Sequence, residues 1–348
     1  MEKLSPLFTL VRSYLKHYLP LERKYSQNTI RSYKKVLVLL FDYVKVKMNI
    51  PLVKVTFEMI DRNMLSSFLD YLENERNCSP TTRNHRLHSI RAFYAYAAEN
   101  DITVVAHYEE ILKVDSAKIP QKLVEHMSEN AVKAVIAQAD TSKDKGLRNM
   151  FLMLFLYKTG ARIEEALNVE LKHIQFGKTP SVTLFGKPNN KARTVPLREN
   201  TTEHLKEYIK MFHHDEGLYS NAPLFYTSRS GLAKKRMTED NARDFIRKYG
   251  TKARKVCAEV PENVHPHLFR HSFAMSLYQS GIHLTLIAEW LGHANMETSL
   301  IYAHADTEIK RKAIEKAIPK DTPLAEHINA ERYKVDDEQV LKELCGLI

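Results

Sequence analysis

The apolar positions of the first hundred residues recur at helical spacing. In the opening segment they fall at positions 7, 10, 11, 14, 15 and 18, and similar stripes begin at Leu37, Leu65 and Leu87. The last stripe is preceded by Ser79 and Pro80, residue types that favour the cap and the first position of a helix. Four amphipathic helices of this kind predict a small helical bundle.

The helical periodicity stops after residue 113. Residues 114–127 lack it and are interpreted as a linker, and Ser128 can cap the helix that follows. The segments Ser181 to Phe185 and Arg193 to Leu197 are strand-like and close enough to form a hairpin. Further helices are predicted from positions 201, 238, 266, 283 and 308. We therefore expect a helical domain at 1–113, a linker at 114–127, a second domain at 128–319 and a tail at 320–348.

Charge points to a polyanionic partner. The 348 residues include 52 Lys and Arg against 42 Asp and Glu, a formal charge of +10. Both predicted domains are basic and only the tail is acidic, which favours nucleic acid as the partner of the domains. The tail carries an apolar stripe at positions 340, 341, 344, 347 and 348, so it is predicted to be a helix that docks on a neighbouring protomer or on its own core.

Several function classes lack their signatures. Only 10 residues are glycine, and neither a P-loop nor a dinucleotide-binding glycine pattern occurs, so no nucleotide cofactor is predicted. Cys78, Cys257 and Cys345 are too scattered for a disulfide framework or a zinc site, and they fit a reducing, cytoplasmic location. No apolar run approaches the roughly 20 residues of a membrane span, and no signal peptide is recognisable.

The polar faces of the second and fourth helices carry short polar side chains edged by arginines. Such a surface suits close approach to a phosphate backbone, although an ordinary solvated face would look similar. The candidate DNA contacts are Asn28, Arg31, Ser32 and Lys35 on the second helix, and Thr81, His85, Arg86, Ser89 and Arg91 on the fourth.

Three short patterns in the second domain carry candidate chemistry. They are Arg162 followed by Glu165, His267 followed by Arg270, and His293 followed by Tyr302. Each alone is weak. Together, in this order and with a lysine in the intervening hairpin, they resemble the tyrosine recombinase (phage integrase) family, and the helical first domain resembles the core-binding domain of that family. The hairpin lysine is assigned to Lys187, with Lys191 in the same turn as the alternative.

The residue types suit phosphoryl transfer to an oxygen nucleophile without a metal. Arg162 and Arg270 can form bidentate hydrogen bonds to the non-bridging oxygens of a phosphodiester through their permanently charged guanidinium groups. Tyr302 is the candidate nucleophile, and its hydroxyl must lose a proton to become reactive. His267 is the candidate general base that accepts this proton. His293 would hydrogen-bond the phosphate, Lys187 would protonate the leaving 5′ oxygen, and Glu165 would orient the cations.

The resemblance implies a mainly α fold with a small β-hairpin, in which a four-helix core-binding (SAM-like) bundle and an α+β catalytic domain form a C-shaped clamp on double-stranded DNA. It implies an Xer-like or Cre-like site-specific recombinase of cellular or mobile-element DNA, which integrates, excises or resolves DNA through a 3′-phosphotyrosyl intermediate. Four protomers would act in the synaptic complex, without metal, ATP or another cofactor. Two alternatives remain at this stage, a type IB topoisomerase and a DNA-binding regulator that keeps the fold but has lost catalysis.

Overall fold

The chain forms two compact units in the computed structural model, residues 1–121 and 122–348. The structure describes residues 5–119, 124–186, 192–227, 234–292 and 299–302, together with Arg311 and Lys342. The division lies within the segment that the sequence analysis interprets as the linker. The predicted tail at 320–348, apart from Lys342, lies outside the described residues, as does the lysine-bearing turn at 187–191.

The first unit is a helical bundle. Its α-helices are α1 (Pro6–Ser13), α2 (Gln27–Met48), α3 (Arg62–Asn74), α4 (Pro80–Asn100) and α5 (Val105–Leu112). Side chains at the predicted stripe positions close its core, among them Leu40, Phe68 and Tyr94, which are fully buried. Ser79 caps α4 through a hydrogen bond from the Thr82 amide, as the sequence predicts.

The first amphipathic stripe does not fold as one regular α-helix. After α1 the chain continues over Tyr14–Glu22 as a π-helix, and Pro20 lies inside this segment. Proline has no N–H to donate to the helix ladder, which favours a departure from α-helical spacing at this point. The buried Tyr14 and Leu19 nevertheless keep the apolar face against the core.

The segment after α5 is attached to α4. The Asn84 side chain accepts from the Ala117 amide and donates to the Ala117 carbonyl, both at 2.8 Å. Arg91 donates to the carbonyls of Leu112 and Val114. Residues up to 117 therefore pack as part of the helical unit, although their sequence lacks helical periodicity.

The second unit combines helices with two small antiparallel sheets. Its helices are α6 (Glu129–Ile136), α7 (Asp144–Thr159), α8 (Ile163–Leu167), α9 (Glu199–Phe212), α10 (Glu239–Arg254), α11 (Pro266–Gln279) and α12 (Leu284–Leu291). The first sheet has the order β1 (Ile174–Gln175), β2 (Ser181–Phe185) and β3 (Ala192–Pro196); the second pairs β4 (Tyr226–Thr227) with β5 (Lys235–Arg236). The predicted hairpin is confirmed, with Val182 opposite Val195.

A tight turn after α7 sets the direction of the chain into α8. Gly160 has a φ of 64° and ends α7, and a Cβ there would lie 2.7 Å from Phe273 Cδ1 and 2.8 Å from Leu291 Cδ2. Only glycine fits both the left-handed backbone and the close packing. The turn therefore places Arg162, two residues later, beside α11 and the end of α12.

Substitution at Gly250, inside α10, tests the packing of this unit. A Cβ at Gly250 would lie 2.4 Å from Val264 Cβ and 2.5 Å from Val264 Cγ2. We therefore expect Gly250→Ala to lower the free energy of unfolding by about 1–3 kcal/mol, the usual range for overpacking, although alanine normally favours a helix. Denaturant unfolding measures this change.

Gly177→Ala is the matched control, because nothing lies within 4 Å of a Cβ at that position. We expect it to change stability by less than about 0.5 kcal/mol. A Gly250→Ala protein as stable as the wild type would show that α10 and Val264 are not packed this closely.

Candidate active site

Arg162 begins α8 and is tied to the acid that follows it. Its backbone amide donates to Glu165 Oε2 at 2.8 Å, and its Nη1 donates to Glu165 Oε1 at 2.9 Å. Glu165 is 2% exposed, whereas the Arg162 side chain remains 39% exposed. The carboxylate thus anchors the base of Arg162 while part of the guanidinium stays open to a ligand. A cavity of about 310 Å³ lies beside them, lined also by His173 and Phe185.

A second arginine, absent from the sequence-based assignment, binds the same carboxylate. Arg193 on β3 donates to Glu165 Oε1 at 2.8 Å and to Oε2 at 2.7 Å, and its Nε donates to the Trp290 carbonyl at 2.9 Å. The pair is separated by 28 positions in the sequence, so no local pattern connects the two residues. In the sequence, Arg193 is identified only as the first residue of the second strand of the predicted hairpin.

The ionisation of Glu165 follows from these contacts. Burial opposes its charge, but the hydrogen bonds and charge of Arg193, with the amide and guanidinium of Arg162, lower the pKa of this carboxyl to about 2. Glu165 is therefore a carboxylate at any physiological pH. The structure shows Glu165 in contact with Arg162 and Arg193, and its predicted role in orienting catalytic cations stays a prediction.

Arg270 occupies the interior of the second unit. It is 3% exposed, and its guanidinium donates to the carbonyls of Gly160 at 2.7 Å and Leu291 at 2.6 Å. Burial and then the charges of Arg162 and Arg193 lower its pKa to about 9, so it remains a cation at neutral pH. Arg162, Arg193 and Arg270 together face one carboxylate, which leaves an excess of positive charge for an anionic ligand.

Tyr302 is fully buried and contacts a histidine that the sequence analysis did not assign. Its hydroxyl lies 3.1 Å from Nδ1 of His271. Burial raises the pKa of Tyr302 to about 12, while the charges of Arg270 and Arg162 act in the opposite direction. The described structure thus holds a protonated Tyr302 hydroxyl within the electrostatic field of Arg270 and Arg162.

Two histidines on α11 lie near each other, and one of them, His271, contacts Tyr302. The rings of His267 and His271 are 6.5 Å apart between centroids. Burial, the charge of His267 and then that of Arg270 lower the pKa of His271 to about 4, and burial followed by His265 and Arg270 lowers that of His267. Both imidazoles are therefore predominantly neutral at pH 7 and can accept a hydrogen bond or a proton.

The remaining predicted site residues fall into two groups. Lys187, Lys191 and His293 lie outside the described residues. The candidate DNA contacts in the first unit are described, and they differ in exposure. The exposed ones are Asn28, Arg31, Ser32, Lys35, Thr81 and His85.

Three of the candidate DNA contacts on α4 make contacts within the helical unit. Ser89 is 9% exposed and donates to the His85 carbonyl. Arg86 donates to Cys78 Sγ at 3.1 Å, and Arg91 binds the carbonyls after α5. The apolar side of α4 is wider than its sequence periodicity suggests, so these residues lie at its edge. The assignment of all nine to DNA contact stays a prediction.

Two properties of the described residues concern metal binding and membrane insertion. Among them, His, Cys, Asp and Glu side chains do not assemble in groups of three that could hold a metal ion. None of the helices within this part of the chain is both long and apolar enough to cross a membrane.

Comparison with known proteins defines the class. The phage integrase family matches residues 125–308, and the phage integrase N-terminal SAM-like domain matches residues 12–101. The catalytic-domain match alone covers more than half of the chain. The chain therefore belongs to the phage integrase family, the tyrosine recombinases, which break and rejoin DNA strands.

Individual relatives span nearly the whole chain. Tyrosine recombinase XerD of Staphylococcus saprophyticus subsp. saprophyticus is 28% identical over 324 residues, which cover 90% of this chain and 99% of XerD. Tyrosine recombinase XerA of Pyrococcus horikoshii is 27% identical over 290 residues, covering 75% of this chain and 95% of XerA. The sequence-based predictions of family and enzyme class are confirmed.

Solved structures share the two-domain fold. XerH site-specific recombinase bound to a palindromic difH substrate, in a post-cleavage complex, matches with a TM-score of 0.66 and 22% identity, covering 90% of this chain and 89% of that chain. The Tn1549 transposon integrase in complex with transposon right end DNA gives a TM-score of 0.66 and 17% identity, covering 89% and 98%. The predicted fold class is confirmed by these similarities.

Proposed function

We propose that this tyrosine recombinase cleaves one strand of a specific double-stranded DNA site with Tyr302 and rejoins it to a second strand. The observation that supports this most directly is the position of the Tyr302 hydroxyl, which contacts His271 and lies in the electrostatic field of Arg162 and Arg270. A phosphodiester is an anion that fits this field. The DNA-bound states of XerH and of the Tn1549 integrase support DNA as the partner.

The chemical step exchanges one ester for another. The tyrosine oxygen attacks the phosphorus, the bond between phosphorus and the 5′ oxygen breaks, and the 3′ end becomes a phosphotyrosyl ester. A 5′ hydroxyl then attacks this ester and releases the tyrosine. Because no bond to water is formed, the bond energy is retained and rejoining requires no nucleotide cofactor.

Two protons must move during cleavage. The tyrosine proton leaves as the oxygen attacks, and His267 is the assigned acceptor, with the contact of His271 supporting a shared role. The 5′ oxygen gains a proton, and Lys187, or else Lys191, is the proposed donor from the hairpin turn. His293 completes the proposed set as a hydrogen-bond donor to the phosphate.

Charge stabilisation supplies much of the rate. The transition state concentrates negative charge on the non-bridging oxygens, and preorganised cations are the usual means of stabilising such charge. Arg162 retains an exposed face, and Arg270 is fixed by two backbone carbonyls. Fixed arginines avoid the reorganisation that mobile side chains would require.

The proposal extends to assembly. Four protomers would bind two DNA sites, and the acidic tail helix at 320–348 would dock on a neighbouring protomer. The similarity of this fold to a recombinase solved in complex with its DNA substrate supports the DNA-binding part of this picture. The positive charge of both domains predicts that binding weakens steeply with salt.

Capture of the covalent intermediate tests the proposed reaction. A set of overlapping duplexes is made from the DNA that flanks this gene. Each duplex carries a nick close to the cleavage position, so that the short strand released by cleavage diffuses away and cannot be rejoined. The duplexes are incubated with the full chain, denatured in SDS and separated by electrophoresis. We expect an SDS-resistant adduct with at least one duplex, formed equally in EDTA, and a phosphonucleotide on the peptide containing Tyr302. Cleaved DNA free of protein, or a strict need for Mg²⁺, would contradict the mechanism.

A further inference from the structure

The side chain of Arg193 joins three separate parts of the second unit. It starts on β3, two positions after residue 191, and both candidate lysines lie at 187–191 in the sequence. Its two terminal nitrogens bind the two oxygens of Glu165, and its Nε binds the carbonyl of Trp290 in the last turn of α12. One planar group therefore fixes the hairpin, the acid beside Arg162 and the helix that precedes His293.

The surroundings of Arg193 are shaped for a guanidinium. Gly292, which ends α12 with a φ of 65°, lies so close that a Cβ there would be 3.0 Å from Arg193 Cδ and 3.2 Å from its Nη1. The Arg193 side chain is only 13% exposed. Lysine offers one point charge on a flexible stem and cannot reproduce three directed bonds. All three nitrogens of the Arg193 guanidinium are already bonded to Glu165 or Trp290, which leaves few of its donors for a DNA phosphate.

We propose that Arg193 is a positioning residue for strand cleavage, which holds Glu165 and thereby Arg162 in place while fixing the lysine-bearing hairpin to the end of α12. The role rests on the proposed function, since it concerns the same reaction. Arg193 acts through Glu165, Trp290 and the hairpin backbone, and the DNA is bound by other groups. Its loss should therefore slow the chemical step without weakening DNA binding.

Single-turnover adduct formation at saturating DNA measures that step. We expect Arg193→Met to form the adduct about 10- to 100-fold more slowly than the wild type, because misplacement by about 1 Å can cost a hundredfold. The dissociation constant for the same DNA should stay within about threefold. The slope of log affinity against log salt should not change, whereas loss of a phosphate contact would reduce it by about one.

The pH profile separates positioning from general weakening of the fold. The charged groups facing Glu165 are Arg162 from the start of α8, Arg193 from β3 and Arg270 from α11. Glu165 in the wild type stays ionised down to about pH 2. The wild-type acid limb reflects protonation of the proposed base His267. Without Arg193, burial is opposed by fewer cations and the pKa of Glu165 rises, so the adduct rate of Arg193→Met should fall more steeply on the acid side than that of the wild type. Arg193→Lys should be slow but should keep the wild-type acid limb.

Arg254→Met is the matched control. Arg254 also bonds a backbone carbonyl and a glutamate, those of Val260 and Glu262, but it lies outside the site. We expect a wild-type adduct rate and pH profile from this variant. If Arg193→Met does not fold, Arg193→Lys is measured in its place. We expect its adduct rate to be about five- to tenfold below that of the wild type, and a wild-type rate would contradict the proposal.

The outcomes are distinguishable. Absence of any adduct with the wild-type protein would overturn the proposed function and the role of Arg193 with it. A wild-type adduct together with an unchanged rate for Arg193→Met would overturn the positioning role alone. A slow variant whose salt slope falls by about one would also overturn it, by making Arg193 a DNA contact.

Discussion

Phenylalanine at position 302 is expected to abolish covalent adduct formation while leaving the fold and DNA binding intact. The ring of Tyr302 is fully buried, and Tyr302→Phe keeps that ring. The substitution removes the oxygen that is proposed to attack the phosphorus, together with its contact with His271. Loss of one such hydrogen bond costs about 1 kcal/mol of stability. The measurement is SDS-resistant adduct on nicked duplex, with wild-type DNA affinity as the companion observation.

Tyr278→Phe is the control for this prediction. Tyr278 packs against the same small apolar cluster as Tyr302, which includes Phe273 and Leu277. We expect this variant to form adduct at the wild-type rate. Adduct formation by Tyr302→Phe would assign the nucleophile to another side chain, and the arrangement around His271 would then need a different explanation.

Replacement of Arg270 by lysine is expected to cause the largest combined loss of rate and stability. Arg270 is 3% exposed and donates to two carbonyls that converge from separate helices. A lysine has a single ammonium group and cannot replace the two directed bonds of the guanidinium, and burial would favour its neutral form. We expect adduct formation to fall at least about 1000-fold, the upper range for loss of one fixed charge-stabilising donor.

Stability should fall as well, because an unsatisfied buried carbonyl costs about 1–3 kcal/mol. Denaturant unfolding and single-turnover cleavage together measure the two effects. Arg254→Lys, in which a partly exposed arginine outside the site is changed, should leave the adduct rate unchanged. An Arg270→Lys protein with a rate within tenfold of the wild type would show that position 270 needs only a positive charge.

Much of the fold follows from local sequence signals. Ser79 and Ser128 cap α4 and α6 as predicted, and the two strand-like segments pair as a hairpin. These features depend on neighbours within a few positions, so spacing and residue type are sufficient. The π-helical segment after α1 was not predicted, because the apolar stripe alone does not report how Pro20 alters the ladder.

The site was predictable where its residues form a known pattern. Arg162, Glu165, Arg270 and Tyr302 were assigned from the resemblance to the family pattern, and the structure places these four in one region of the second unit. The parts that were missed depend on long-range packing. The bond between Arg193 and Glu165 spans 28 positions, and that between His271 and Tyr302 spans 31.

For the predicted DNA contacts on α4, the sequence pattern did not predict which side chains are exposed. A helical projection treats one side of α4 as solvated, yet Ser89 is buried and Arg91 binds the chain after α5. Whether a residue at the edge of an apolar stripe is exposed depends on which segment packs there. Residues 112–117 provide that segment, and the helical periodicity of the sequence stops within it, after residue 113.

The anchoring of Arg270 has a consequence for how a substrate enters. Its hydrogen bonds within the described residues go to Gly160, the cap of α7, and Leu291, the final residue of α12. These carbonyls are the negative ends of two helix dipoles, and they stabilise the cation without a full opposing charge. A phosphodiester arriving at this arginine therefore displaces no carboxylate from it. The cation is held in place by uncharged groups alone among its described hydrogen-bond partners.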